Sequence, residues 1–288
     1  MTLPASKQDD FHACPVVNVL VPHVGGNMLP TQAQTLVLDL PAERLADFGI
    51  CTGPTDVIAQ GSTTVLIGDL PAARMTDKTV HGGSIVSPCA PTVLIGGPTF
   101  TLPANFTLKG DPDFQNKLIR DLYQLSTTPT GKALIDGLGA SGKPITFVPD
   151  SDPQNSFCTP DSGSDAQNGT GTGSTIAYNP NAKQNVFDRS GNAIAQPVQV
   201  VLGHEMAHAL ANAQGTQQTG TDPNPPASEP KIDREEAQAI GTGSHSAQNP
   251  SENSLRRDMG LPERDNHFRT NDPPANALPP TSVRPGGY

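Results

Sequence analysis

The chain has 288 residues, a formal net charge of −10, only 4% aromatic residues and no Trp. Phosphate contacts need basic surface, so this charge predicts no nucleic-acid partner. The 28 Gly and 30 Pro residues are many for a compact domain and predict ordered modules with numerous turns. No apolar run is long enough for a membrane span or a signal-peptide core, so we expect no span, and any secretion of this protein would use a route without a signal peptide.

Short β-type runs between Gly and Pro follow a stretch, residues 1–10, that we interpret as a flexible lead. Residues 11–100 contain an internal repeat, which predicts stacked or wrapped hairpins. Its copies read TLVLDLPAERLADFGIC (35–51), TVLIGDLPAARMTDKTVH (64–81) and GGSIVSPCAPTVLIGGPT (82–99).

The repeat aligns Cys51 with His81, and His23 takes the same place one repeat earlier. Equivalent turns of a repeated hairpin meet at one end of the fold, so these three side chains should converge. Three such ligands are most of a closed zinc site. We take His12 as the fourth ligand of this structural zinc, with Cys14 and Cys89 as alternatives.

The repeat contains the string PAAR at Pro71–Arg74 and resembles the PAAR and PAAR-like family, most specifically over residues 61–83 and 91–97. The resemblance implies an all-β cone of repeated hairpins over residues 11–100, with zinc bound near its apex. It also implies a spike-tip role, a VgrG-type spike trimer as partner, and delivery into a target cell by type VI secretion.

The middle of the chain is interpreted from its periodicity. We interpret residues 101–110 as a linker and 149–174 as a flexible loop. Between them the pattern predicts an amphipathic helix opening at Asp111 and ended by Pro129, a helix over 130–141 and a strand over 143–148. Residues 174–179 predict another strand, which we expect to be an edge strand that receives substrate, with Tyr178 as a substrate-binding residue.

Residues 197–215 carry an HExxH motif on an apolar helix that ends at Gly215. Residues four apart share a helix face, so His204 and His208 can bind one catalytic zinc, with Glu205 as general base. A third ligand is needed. We expect Glu236, from the acidic helix 232–241, to be this ligand. The small residue Ala239 follows one turn later and would allow the two helices to pack closely. Glu235 is the alternative and Glu252 a more distant one, whereas Tyr178, His245 and His267 are candidates for oxyanion stabilisation.

Residues 111–268 resemble the NleD-type zinc metallopeptidase family of bacterial effectors. Five strings carry the resemblance in order: TTPTGKALIDGLGASGKPITF, NGTGTGSTIAYNP, LGHEMAHAL, EEAQAIG and SENSLRRDMGLPERDNH. The family implies a zincin-like α+β domain that cleaves proteins of the recipient cell.

By analogy with secreted toxins we expect an immunity protein or chaperone, and by composition a disordered Pro-rich tail at 269–288. The alternatives are a structural spike tip with a binding module, or an enzyme acting on cell-wall peptide.

Overall fold

A computed structural model describes residues 2–18, 20–152 and 156–269, so residues 270–288 of the predicted tail lie outside the described part. The chain divides into two units. The first contains the described residues up to Leu102 together with Gly110–Tyr123, and the second contains Pro103–Lys109 and the described residues from Gln124 onward. Over the described ranges, no helix has the length and apolar character that a membrane crossing demands.

Up to Leu102, the described part of the first unit is built from short antiparallel strands. Its main sheet has the order β10-β2-β3-β6-β7, and smaller sheets pair β12-β8-β9, β1-β11 and β4-β5. The strands are β1 (Leu3–Ala5), β2 (Phe11–Asn18), β3 (Val21–Leu29), β4 (Leu36–Val37), β5 (Leu40–Pro41), β6 (Phe48–Gly49), β7 (Asp56–Val57), β8 (Gly61–Ile67), β9 (Leu70–Ala72), β10 (Ser84–Val86), β11 (Ala90–Ile95) and β12 (Thr99–Phe100).

A closed ring of three backbone hydrogen bonds gives this unit a pseudo-threefold axis. Ser6 donates to Ala73, Ala73 to Glu43 and Glu43 back to Ser6, each at 3.0 Å. Each residue follows the same tripeptide, Leu-Pro-Ala, at β1, at β5 with Ala42, and at β9. The fold is therefore a three-copy repeat whose first copy begins at Leu3.

The interpretation of this stretch as a flexible lead does not hold for its described residues 2–10, which contain β1 and the first of three equivalent clamps. In each clamp an Asp carboxylate accepts a hydrogen bond from the backbone N–H three residues before it. In this copy the backbone N–H of Lys7 donates to Asp10 at 2.9 Å, and the Lys7 ammonium lies 2.6 Å from the same carboxylate. The same backbone bond joins Arg44 to Asp47 at 3.0 Å and Arg74 to Asp77 at 2.9 Å. A chain tied by backbone pairing and a buried carboxylate has few alternative conformations.

The repeat places alternate side chains inside and outside. Val37, Ile67 and Ile95 are buried in one core cluster with the alanines of the three Leu-Pro-Ala tripeptides. Their preceding neighbours Leu36, Leu66 and Leu94 are 54%, 48% and 57% exposed. Successive strand residues point to opposite faces, so three copies of one pattern create three equivalent exposed leucines.

The second unit is α+β. Its four-stranded sheet has the order β13-β14-β16-β15, with β15 antiparallel to β16 and the other pairs parallel, and a three-stranded sheet has the order β18-β17-β19. The strands are β13 (Phe106–Leu108), β14 (Ile145–Pro149), β15 (Phe157–Pro160), β16 (Ser174–Tyr178), β17 (Gln184–Asp188), β18 (Ala193–Gln196) and β19 (Arg264–Arg269). The helices of the chain are α1 (Pro112–Ser126), which begins in the first unit, α2 (Pro129–Ser141), α3 (Gly163–Gln167), α4 (Val198–Gln214), α5 (Arg234–Ile240) and α6 (Glu252–Asp258), with a 3-10 turn at Gly243–His245.

Three sequence interpretations change in this unit. The predicted linker 101–110 contains β13, which pairs with β14. The predicted loop 149–174 contains β15 and α3, where Ser162 caps the helix by accepting a hydrogen bond from Asp165. The predicted edge strand, β16, lies between β14 and β15, so the sheet edge on that side is β15. Strand β15 lies in a polar, Gly-rich stretch without apolar alternation, which explains why the sequence did not predict it.

Candidate active site and a second candidate metal site

Helix α4 presents the HExxH residues from a buried position. It begins after Pro197 and ends at Gly215, whose φ of 71° is left-handed and whose N–H donates to Ala211 and Asn212. Gly203 allows α6 to approach, because a Cβ there would lie 2.4 Å from a methyl group of Leu255. Helix α4 is therefore capped at its C-terminus and packs closely against α6.

Glu236 of α5 meets the two histidines of α4. Nε2 of His204 and Nε2 of His208 are 3.1 Å apart, and Oε2 of Glu236 lies 3.3 Å and 3.5 Å from them. Zinc–ligand bonds of about 2.0–2.2 Å in a tetrahedron imply ligand spacings of about 3.3–3.6 Å. Oε2 of Glu236 is buried without a hydrogen-bond partner among the described residues. The three side chains fit a metal ion with one open position.

The electrostatics agree with a cation site. Burial opposes a charge on Glu236, but His267, His208 and His204 outweigh it and hold the pKa of Glu236 well below its usual value. Burial also opposes protonation of His204, yet Glu236, Glu252 and Glu205 raise its pKa to about 10. The cluster thus attracts positive charge, and a metal ion would compete with a proton for the His204 ring.

Glu205 is 5% exposed beside this cluster. Its charge contributes to raising the pKa of His204 and, after the larger effect of burial, the pKa of Cys158 on β15. Asn212, seven residues after Glu205 on the same helix face, donates to Ser174 at 3.1 Å and lies 3.6 Å from the Cys158 sulfur. The Glu205 face of α4 is therefore next to β15 and β16.

The other residues that the sequence suggested for the active site lie in different surroundings. Glu235 points away from the cluster and accepts a hydrogen bond from Gln217 at 2.6 Å. Tyr178 is fully buried and its hydroxyl donates to the Val198 carbonyl at 3.4 Å, so the structure places it in the core of the second unit. Its strand is interior, and an interior strand directs alternate side chains into the core. His267 has its Nε2 3.4 Å from Oε2 of Glu236, whereas His245 is near Asp222.

Glu252 is not part of the cluster of His204, His208 and Glu236, but it contacts one of its members, His204. Its Oε2 lies 3.0 Å from Nδ1 of His204, on the opposite side of the ring from Glu236. The ring N–H does not point straight at the oxygen, so the pair is an ionic contact at hydrogen-bond distance. Burial would raise the pKa of Glu252, but Arg264, His204 and Arg256 hold it well below its usual value.

A second cluster lies in the first unit and consists of Cys14, His23, Cys51 and His81, with ligand atoms all within 4.8 Å of one another. The Cys14 sulfur is 3.7 Å from Nδ1 of His81, close to the spacing of about 3.5 Å expected around tetrahedral zinc. Both ring nitrogens of buried His23 have no hydrogen-bond partner among the described residues. These donors fit a closed structural zinc site.

The expectation of His12 as fourth ligand is wrong, because Cys14 joins the cluster in its place. His12 is fully buried, with Nδ1 3.0 Å from the Gly26 carbonyl oxygen and Nε2 3.4 Å from Asp56. Gly49 packs against the His12 ring, where a Cβ would be 2.7 Å away. These neighbours keep the ring out of the cluster.

A signal for Cys14 exists in the sequence. The clamp aspartates Asp10, Asp47 and Asp77 are each followed four residues later by a cluster member, namely Cys14, Cys51 and His81. Aligning residues 1–10 with the other copies by their Leu-Pro-Ala string reveals this spacing. His23, which we aligned with these residues, comes instead from β3 and completes the set.

Architecture and site together define the class: an all-β repeat unit followed by an α+β metallopeptidase-type domain. The chain belongs to the Peptidase M91 family, described as effector proteins, whose profile matches residues 103–267, more than half of the sequence. A PAAR motif matches residues 20–87. The two occur in the order that the sequence resemblances predicted, and that prediction is confirmed.

Solved structures with detectable likeness include botulinum neurotoxin light chains. The Clostridium botulinum serotype F light chain gives a TM-score of 0.39 at 14% identity, covering 51% of this chain and 48% of that one. The serotype HA light chain gives 0.31 at 12% identity, covering 36% and 35%. This chain thus spans about half the length of the first light chain. No curated protein matches it significantly.

Proposed function

We propose that this protein is a type VI secretion effector whose PAAR unit caps a spike and whose second unit is a zinc-dependent endopeptidase acting on proteins of the recipient cell. The observation that carries the peptidase is the triangle of His204, His208 and Glu236, with sides of 3.1, 3.3 and 3.5 Å beside Glu205. It supplies two neutral nitrogens, one carboxylate and an adjacent general base.

When bound, zinc would supply a Lewis acid that polarises the scissile carbonyl and acidifies water. Glu205 takes the proton of the attacking water and delivers it to the leaving amine, the role of a general acid–base carboxylate. His267, near Glu236, is positioned at the rim of the same site and is our candidate for stabilising the oxyanion. His204, His208 and Glu236 would hold the ion.

The substrate is proposed to add to β15 as a further strand. This strand is one of the two edges of the four-stranded sheet, its Phe157 side chain is 46% exposed, and its Cys158 is within reach of the Glu205 charge. An edge strand offers unpaired backbone groups to an extended peptide, which favours a polypeptide over a small molecule. The interior position of β16 leaves β15 as the strand for this role.

The front unit is proposed to hold a structural zinc and to dock on a trimeric spike of the VgrG type. Burial, followed by the neighbouring Cys51, raises the pKa of the Cys14 thiol to about 11. A zinc ion bound by this cluster would favour the thiolate form, which is the form that coordinates metal. The three exposed leucines around the pseudo-threefold axis, Leu36, Leu66 and Leu94, match a partner with threefold symmetry.

The test uses the full chain and a Glu205→Gln variant, incubated with soluble proteomes of bacterial and eukaryotic cells and with peptidoglycan. We expect new protein N-termini that appear with wild type and fall about 10²- to 10⁴-fold with Glu205→Gln. Release of cell-wall peptide in place of protein cleavage would identify the alternative substrate. Equal cleavage by both chains would overturn the proposed mechanism.

A further inference from the structure

A buried ionic cluster lies behind the proposed active site, away from the open side of the histidine pair. Glu252, in the first turn of α6, is fully buried, as is Arg256, and Arg264 on β19 is 2% exposed. One carboxylate thus faces two guanidinium groups inside the protein. Burying three charges is costly unless each one has a specific partner.

The two oxygens of Glu252 have different partners. Oε1 accepts from Nε of Arg256 at 2.8 Å and from the side-chain amide of Gln196 at 3.4 Å. Oε2 accepts from Nη1 of Arg264 at 2.8 Å and lies 3.0 Å from Nδ1 of His204. Arg256 therefore anchors one oxygen, and the other faces the histidine.

Arg264 extends the same contacts to the strand that carries His267. Its Nε donates to the Asn266 carbonyl at 2.7 Å and its Nη2 to the His267 carbonyl at 2.6 Å. His267 in turn places Nε2 3.4 Å from Oε2 of Glu236. Glu252 and Arg264 together connect His204 on α4 with the backbone of β19.

The two ring nitrogens of His204 face different partners. Nε2 faces His208 and Glu236, so the remaining nitrogen, Nδ1, faces Glu252. An ionised carboxylate beside Nδ1 favours the tautomer with a proton on Nδ1 and a lone pair on Nε2. Such partners of a ligating histidine fix its tautomer and increase its basicity.

We propose that Glu252 is a positioning residue that holds His204 in the Nδ1-protonated tautomer, with Nε2 directed at the metal position, and that Arg264 fixes Glu252 relative to β19. This inference rests on the proposed metallopeptidase site. It assigns no ligand role to Glu252, and its effect is on the affinity of the His204 site for metal. Glu252 acts entirely through His204 and Arg264.

The experiment measures zinc affinity of the full chain by competition with a chromogenic chelator. The difference between wild type and His204→Ala gives the amount of zinc bound at the catalytic site. The test variant is Glu252→Gln, and Arg256→Gln is its matched control. The Arg256 variant disturbs the same buried charges but leaves the Oε2 contacts. We expect Glu252→Gln to weaken catalytic-site zinc binding about 10- to 100-fold. Arg256→Gln should stay within about threefold of wild type even where it unfolds more easily.

A folded Glu252→Gln variant with wild-type zinc affinity would overturn the proposal. Where that variant does not fold, Glu252→Gln/Arg256→Gln, which removes one of the uncompensated cations, takes its place under the same criterion. Imidazole ¹⁵N shifts of zinc-loaded wild type provide a readout without any variant: Nδ1–H of His204 is expected, and Nε2–H overturns the proposal. If His204→Ala leaves zinc binding unchanged, the proposed catalytic site fails instead.

Discussion

The backbone N–H of Ser6 donates to the carbonyl oxygen of Ala73 at 3.0 Å, and this bond closes the ring completed by Glu43. The first copy of the repeat thus lies in the stretch with the least apparent pattern. Its closure places Cys14 at the position equivalent to Cys51 and His81. The N-terminal residues are structural, and their removal would open both the ring and the metal cluster.

Replacing the first clamp tests this arrangement. Asp10→Asn removes the charge that holds the Lys7 backbone N–H and ammonium inside the fold. We expect a loss of roughly 2–4 kcal/mol in the free energy of unfolding of the first unit. Asp9→Asn, at the neighbouring exposed position whose left-handed backbone Asn also tolerates, should change it by less than about 0.5 kcal/mol. Equal effects in chemical denaturation would contradict the clamp.

The fourth structural ligand can be identified by metal content. Cys14→Ala should lower zinc stoichiometry from the proposed two ions per chain towards one, since three remaining ligands bind zinc much more weakly. Cys89→Ala, which removes a buried thiol outside the cluster, should leave two ions. Elemental analysis after dialysis against a weak chelator measures both. Loss of zinc in Cys89→Ala but not in Cys14→Ala would reverse the assignment.

The neighbouring residues Glu235 and Glu236 of α5 allow a controlled test of the third zinc ligand. Glu236→Gln should weaken zinc binding at the His204 site at least about 100-fold, because a charged ligand is replaced by a neutral amide. Glu235→Gln changes a side chain that bonds Gln217 and is not among the three clustered ligands, so it should bind zinc within about threefold of wild type. Chelator competition measures both constants. If Glu235→Gln showed the larger loss, the third ligand would be Glu235.

Glu43 predicts a pH dependence of stability. Burial, followed by the nearby Asp47 and Asp10 carboxylates, raises the pKa of Glu43 from 4.5 to about 10. Between these pH values the folded chain holds a proton that the unfolded chain releases, so stability falls as pH rises. Glu43→Gln should therefore stabilise the protein by on the order of 1–3 kcal/mol at pH 7, with a gain that grows with pH.

Denaturation of Glu43→Gln and wild type at pH 5.5, 7 and 8.5 measures that trend. Asp69→Asn changes an exposed carboxylate in the same unit and serves as the control. Asp69→Asn should change stability by less than about 0.5 kcal/mol, as expected for an exposed surface substitution. A gain for Glu43→Gln that is constant or shrinks towards alkaline pH would show that Glu43 is ionised in the folded protein.

Local periodicity was enough for the parts of the site that one helix supplies. His204, Glu205 and His208 are close because a helix turn sets their spacing, whatever the rest of the chain does. The repeat likewise places Cys51 and His81 at equivalent positions, and both belong to the cluster in the first unit, whereas His23 reaches that cluster from β3. In both cases the residues share a regular geometry that the sequence itself expresses.

Tertiary structure decided the rest. Glu236 faces the histidines and Glu235 faces Gln217 because α5 packs with one particular face towards α4. Strand β15 lies outside β16 because hydrogen-bond partners come from distant segments, which periodicity does not report. Cys14 displaces His12 because a ring closed between Ser6, Glu43 and Ala73 sets which turn reaches the cluster. The sequence alone determined which side chains were available, and the packing of distant elements determined which of them meet.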